Sequence, residues 1–146
     1  MSPEGMVLVG SLGLARIHAE GWNPDAVGGL TLGADPVAYA ISHMSAETPS
    51  PIRAFTVRKE PKGHGTGRRI EGPFRPGDRV VVVEDVITTG RSALEAIDAV
   101  EGEGGSVAGV LAVVDRQDGG REAIQARGYP VVSLVTMGEL VRLASP

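Results

Sequence analysis

Four consecutive valines, Val80–Val83, constrain what this chain can fold into more than any other feature. A strand with one face in water alternates polar and apolar residues; this run does not, so it must be covered on both faces. A parallel sheet with helices on either side meets that demand and puts the strand Arg79–Glu84 at its centre. Four further apolar or β-branched runs, Ala26–Leu30, Ile52–Val57, Val107–Val114 and Val131–Val135, are separated by helical patterns or loops. The alternation predicts an α/β fold with a mostly parallel five-stranded sheet, and 146 residues fit one such domain, 1–146.

Ser2 and Pro3 make a good helix start. Leu8, Leu12, Ala15 and Ala19 then recur at helical spacing, which predicts a buried stripe on a helix ending near Gly21, with Gly5, Gly10 and Gly13 weakening it. Ala93, Leu94, Ile97 and Val100 share one face of a helix closed by Gly102–Gly105. Asp35–Ser45 and Gly120–Arg127 read as crossover helices and Met137–Leu143 as a short terminal one. No apolar run approaches the roughly 18 residues of a membrane span, and Met1–Gly10 lacks a signal-peptide pattern, so the cytoplasm is the expected location. The absence of Cys excludes disulfides, thiolate metal sites and a Cys nucleophile.

The formal charge of -4 is spread unevenly. Between Arg58 and Gly72, Arg58, Lys59, Lys62, Arg68 and Arg69 face only Glu60 and Glu71, a local +3 that leaves -7 elsewhere. Lys59 and Lys62 are the only lysines in the chain. The cluster points to a polyanionic ligand, the alternative being a solvated charge run. Gly63, Gly65 and Gly67 between Pro61 and Pro73 read as a long mobile loop, a kind that is usually functional.

Directly after the valines come Glu84, Asp85, Val86, Ile87, Thr88, Thr89, Gly90, Arg91 and Ser92. Ligands of open α/β sheets bind beyond the carboxyl ends of the strands, and a turn into a helix N-terminus attracts phosphate. Thr88, Thr89 and Ser92 add hydroxyl donors, and Gly90 lets the backbone close around an anion. Glu84 and Asp85 can accept hydrogen bonds from sugar hydroxyls. Neither a Walker pattern nor a dinucleotide fingerprint occurs.

The segment Val80–Ser92 resembles the signature of the type I phosphoribosyltransferases: a hydrophobic strand, two acidic residues, then a Thr/Gly-rich turn. Arg58–Gly67, R-K-E-P-K-G-H-G-T-G, is similar to the catalytic loop of the orotate phosphoribosyltransferases, and Gly28–Pro36, G-G-L-T-L-G-A-D-P, to their diphosphate-binding loop. The resemblance ends at Val113–Arg116 and covers most of the chain. It implies transfer of ribose 5-phosphate from 5-phosphoribosyl-1-diphosphate to orotate in pyrimidine biosynthesis. It further implies that Arg58, Lys59, Lys62 and His64 contact the diphosphate from a loop shared between the subunits of a homodimer. Lys62, His64 and Asp85 are then the catalytic candidates, residues 84–92 bind the sugar diphosphate, and Thr31, Leu32, Gly33, Ala34 and Asp35 form the diphosphate loop. Thr88 and Arg116 are the expected orotate contacts; for Arg116 a salt bridge to Asp115 or Asp118 stands as the alternative.

Mg2+ is the expected cofactor, carried by the diphosphate with few or no direct protein ligands. Orotate phosphoribosyltransferases usually carry further residues before the first helix found here, including a segment that covers orotate, so this chain is expected to lack that segment. The alternative function is a non-catalytic regulator of the same fold that binds the sugar diphosphate or a nucleotide. The acidic charge and the lack of a helix-turn-helix argue against duplex nucleic acid, leaving RNA at Arg58–Arg69 as a reading testable by salt. His18 and His43 lack metal-ligand spacing and are assigned no role.

Overall fold

The structure, a computed structural model, describes residues 1–63 and 67–145. In chain order its elements are α1 (Pro3–Ala19), β1 (Ala26–Leu30), α2 (Ala34–Ser45), β2 (Arg53–Val57), β3 (Ile70–Glu71), β4 (Arg79–Ile87), α3 (Arg91–Gly102), β5 (Ser106–Asp115), α4 (Gly120–Ala126), β6 (Val131–Thr136) and α5 (Met137–Ala144). The sheet has six strands in the order β3-β2-β1-β4-β5-β6. All pairings are parallel except β2 with β3. The expected five strands are all present; the sixth, β3, is two residues long and too short for any periodicity to announce it.

The valine run is central and covered on both faces. Val80 and Val82 pack with Ile97 and Val100 of α3, while Val81 and Val83 pack with Val37 and Ile41 of α2 and Leu14 and Ile17 of α1. All four valines are fully buried. Among the described residues, no helix is long and apolar enough to cross a membrane.

Helix α1 forms as expected, with Ser2 as N-cap accepting from the Gly5 amide at 3.1 Å and Pro3 in its first turn. Its buried face is not the expected one. Leu8, Leu12, Ala15 and Ala19 are exposed, and the face against α2 and the sheet is Gly10, Gly13, Leu14 and Ile17. A Cβ on Gly10 would stand 2.6 Å from the Ala40 carbonyl oxygen, and one on Gly13 would stand 2.8 Å from Ile41. The helices approach closely because those side chains are missing.

Candidate active site

β1 sits between β2 and β4, so the chain reverses its direction of travel across the sheet there, and a crevice opens at the carboxyl ends of β1 and β4. Register shows how. β4 pairs with β1 only through Val82, opposite Gly28, but pairs with β5 as far as Ile87, opposite Asp115. Beyond Val82 the two parallel strands part, and the loop after β1 turns into α2 beside the acidic end of β4. Strand β4 therefore runs three residues past its expected end at Glu84.

Across this crevice a Cβ on Gly33 would lie 2.8 Å from both carboxylate oxygens of Asp85. A side chain at position 33 would push the exposed Asp85 carboxylate aside. The loop is braced from within. Asp35 accepts from the Thr31 hydroxyl at 2.7 Å and from the Thr56 hydroxyl at 2.9 Å, and the Thr31 amide donates to the Val57 carbonyl at 2.9 Å. The Thr31–Leu32 peptide bond is cis. Both Asp35 oxygens are thus engaged, and Leu32 and Gly33 are exposed at the tip.

The two adjacent acids have unlike surroundings. Asp85 is exposed, with one oxygen accepting from the Val86 amide at 2.7 Å. Glu84 is buried, and its Oε1 has no hydrogen-bond partner among the described residues. Burial first, and then the neighbouring Asp85 charge, push its carboxyl up to about 8.

Gly90 caps α3 in the left-handed conformation, φ 83°. The turn Thr88–Gly90 lies hard against α4: a Cβ on Gly120 would come 2.5 Å from the Thr88 carbonyl oxygen and 2.7 Å from the Gly90 nitrogen. The first amides of α3 have no intrahelical acceptor, a general property of helix starts. Thr89 and Ser92 are exposed and Thr88 half-buried there. Arg91 turns back along the helix to Glu95, 3.0 Å away.

A cleft of about 710 Å³ adjoins this turn, with Thr88, Arg116 and Asp118 as its polar lining and Val86, Val114, Met137 and Leu140 as its apolar lining. The two expected orotate contacts therefore share one cavity. Arg116 also pairs with Asp118 at 3.3 Å, both groups about half exposed, so the salt-bridge alternative holds as well. Exposed pairs of this kind are weak enough for a ligand carboxylate to displace.

Arg121, given no role from the sequence, anchors the strand end beneath Arg116. It donates to Asp115 and to the Val131 carbonyl, both at 2.7 Å, and to the Ser133 hydroxyl at 3.1 Å. Gln117 ties this loop to the start of α5 by accepting from the Gly138 amide at 2.9 Å. Spacing alone carried no signal for Arg121 or Gln117. Met137 and Leu140 could have been anticipated, since their helix begins at the same sheet edge.

The basic segment leaves the carboxyl end of β2 and returns as β3. Its described flanks fold onto α3: Arg69 donates to the Arg58 and Lys59 carbonyls, each at 3.0 Å, and pairs with Glu95 at 3.5 Å, while Glu103 accepts from the Arg69 and Ile70 amides. Arg58 pairs with Glu71 at 3.2 Å. Lys59 and Lys62 are exposed. His64, with Gly65 and Thr66, lies outside the described residues.

Residues 13–134 match the family model described as phosphoribosyl transferase domain. The chain is 54% identical over 139 residues to the orotate phosphoribosyltransferase of Aquifex aeolicus, covering 95% of this chain and 75% of that one. The orotate phosphoribosyltransferase of Mycobacterium tuberculosis, solved with Fe(III) dicitrate, superposes with a TM-score of 0.86 at 47% identity, covering 96% of this chain and 77% of that one. The same mycobacterial protein solved with 5-phospho-alpha-D-ribosyl 1-diphosphate gives a TM-score of 0.80 at 47% identity, covering 92% and 75%.

Proposed function

The chain belongs to the orotate phosphoribosyltransferases, within the phosphoribosyl transferase domain family, and on that premise we propose that it transfers ribose 5-phosphate from 5-phosphoribosyl-1-diphosphate to orotate. A nitrogen of the orotate ring bonds to the anomeric carbon, the bond from that carbon to the diphosphate oxygen breaks, and diphosphate leaves with the electron pair. The orotate N–H proton passes to solvent. The observation that carries this reading is the crevice between β1 and β4, where the Gly33 loop meets Asp85 and the Thr88–Arg116 cleft lies alongside.

In this reading the turn Thr88–Ser92 and the start of α3 take the 5-phosphate, and Glu84 and Asp85 take the ribose hydroxyls. The Thr31–Asp35 loop and the side chains of Arg58, Lys59, Lys62 and His64 take the diphosphate, and Thr88 and Arg116 take orotate. Lys62 and His64 stabilise charge as it develops on the leaving group, where fixed electrostatics contribute most. Arg116 matches a planar carboxylate with two parallel N–H donors. The apolar wall of Val86, Val114, Met137 and Leu140 fits the face of a flat ring.

Mg2+ suits this donor set as an ion carried by the diphosphate. Exposed Asp85 would be the residue to hold the ion, directly or through a water, with the diphosphate supplying its other oxygens. When bound, the ion offsets the negative charge of the diphosphate. The chain acts in the cytoplasm as a homodimer in which the basic loop serves the neighbouring subunit. The regulator alternative draws no support from the relatives or the geometry.

The test is loss of orotate absorbance when the sugar diphosphate and Mg2+ are added to the purified chain. Turnover supports the reading, and none at any concentration of either substrate refutes it. For the shared loop, Lys62→Ala and Asp85→Asn subunits, each inactive alone, should regain activity when mixed; persistent inactivity of the mixture would remove the loop exchange.

A further inference from the structure

Asp35 presents a difficulty for the diphosphate loop to which it belongs, because an anionic side chain beside a polyanion is unfavourable. The structure resolves it through a chain of hydroxyls. Thr31 Oγ1 donates to one carboxylate oxygen of Asp35 at 2.7 Å and Thr56 Oγ1 donates to the other at 2.9 Å. Tyr39 Oη lies 2.9 Å from Thr56 Oγ1. A carboxylate only accepts, so the Thr56 proton points to Asp35, and Tyr39 must be the donor to Thr56. The order Tyr39 to Thr56 to Asp35, with Thr31 converging from the other side, ties together α2, β2 and the loop.

We propose that Thr56 and Tyr39 are positioning residues for sugar-diphosphate binding, which hold Asp35 and through it the Thr31–Ala34 loop in the conformation that faces Asp85. The inference rests on the function proposed above and assigns roles to two residues outside its binding motifs. Fold stability has little stake in either. Thr56 is half-buried, Tyr39 is 50% exposed, and neither belongs to a hydrophobic core cluster. Each Asp35 oxygen already accepts from a hydroxyl of the surrounding framework, and these bonds brace the loop. A loop held in its bound shape loses less entropy when the ligand arrives, so weakening the chain of hydroxyls should appear in binding.

The variants are Thr56→Val, of nearly the same shape without the hydroxyl, Thr56→Ser, which restores it, and Tyr39→Phe, which removes the outer donor. Titration calorimetry with 5-phosphoribosyl-1-diphosphate and with inorganic diphosphate is paired with amide hydrogen exchange over residues 31–35. Thr56→Val should raise both dissociation constants about tenfold, as loss of a hydrogen bond to a charged group does. It should speed exchange in the loop alone, with the melting temperature and the KM for orotate unchanged. Thr56→Ser should recover wild-type values and Tyr39→Phe should fall between. Wild-type affinity and wild-type loop exchange in Thr56→Val would overturn the inference, as would losses spread across the chain that Thr56→Ser does not repair. A wild-type chain that binds no sugar diphosphate would sink the parent reading instead, and the loop exchange would then decide this one alone.

Discussion

Replacing Glu84 with Gln should remove most of one component of the pH dependence of stability, and the structure sets its size. The wild-type carboxyl is buried, with one oxygen that has no partner among the described residues, and its pKa rises from 4.5 in the unfolded chain to about 8 in the native state. Between those values the native state holds a proton that the unfolded state has released. The stability this contributes is fully present below pH 4.5 and is lost as pH rises toward 8. Each unit in that window is worth about 1.36 kcal/mol, so from pH 5 to pH 7 wild type should lose about 2.7 kcal/mol that Glu84→Gln, neutral throughout, keeps. Urea unfolding of both proteins at the two pH values gives a double difference in which the other carboxylates largely cancel. Parallel losses in the two proteins would refute the argument, because they would mean that Glu84 is ionised and hydrated in the native state. If the carboxylate accepts ribose hydroxyls, sugar-diphosphate affinity should also climb with pH in wild type and stay flat in the variant.

Gly33→Ala would put a methyl 2.8 Å from both Asp85 oxygens. Because the exposed Asp85 carboxylate can turn aside, the fold should lose little, but moving that carboxylate out of the crevice should weaken sugar-diphosphate binding about tenfold by calorimetry; wild-type affinity would show that binding does not depend on where the Asp85 carboxylate stands. Arg116→Lys keeps the charge but loses the paired planar donors, so the KM for orotate should rise about tenfold with the KM for the sugar diphosphate unchanged. An equal change in both constants would take Arg116 out of the base cleft. Arg121→Met strands the buried Asp115 carboxylate and should destabilise the fold by about 3 kcal/mol in urea, with most of it recovered by adding Asp115→Asn. No recovery in the double variant would mean that Arg121 acts by packing alone.

The fold was legible where burial writes itself into side chains. Val80–Val83 required two covered faces, and the structure puts Val37, Ile41 and Leu14 on one and Ile97 and Val100 on the other. The acidic and hydroxyl residues after the strand lie at the carboxyl end of β4, where their types lead one to expect phosphate and ribose chemistry. What stayed hidden depends on contacts between distant segments. Thr56 meets Asp35 across 21 positions, and Arg121 meets Asp115 and Ser133 from a helix lying between two strands. No local period encodes such pairs. The two-residue β3 exists because β2 offers it a free edge rather than because its own residues prefer a strand.

Glycine explains the largest misreading and also the crevice itself. In α1 the apolar residues Leu8 and Leu12 mark the exposed side, and the packed side is marked by side chains that are missing at Gly10 and Gly13. A hydrophobic stripe locates a helix face that packs through side chains at ordinary separation. It fails when two backbones come so close that a Cβ would strike the neighbouring carbonyl. The same condition recurs at the crevice. Gly29 lies against the Val83 carbonyl, Gly33 against Asp85, and Gly120 against the Thr88–Gly90 turn. Gly29 sets β1 against β4, Gly33 sets the loop after β1 against the end of β4, and Gly120 sets α4 against the turn before α3. A phosphate held by backbone amides needs those amides to converge, and convergence at this range leaves no room for side chains. In this chain, then, Gly29, Gly33 and Gly120 set the close approaches around the crevice, although they offer a ligand no functional group of their own.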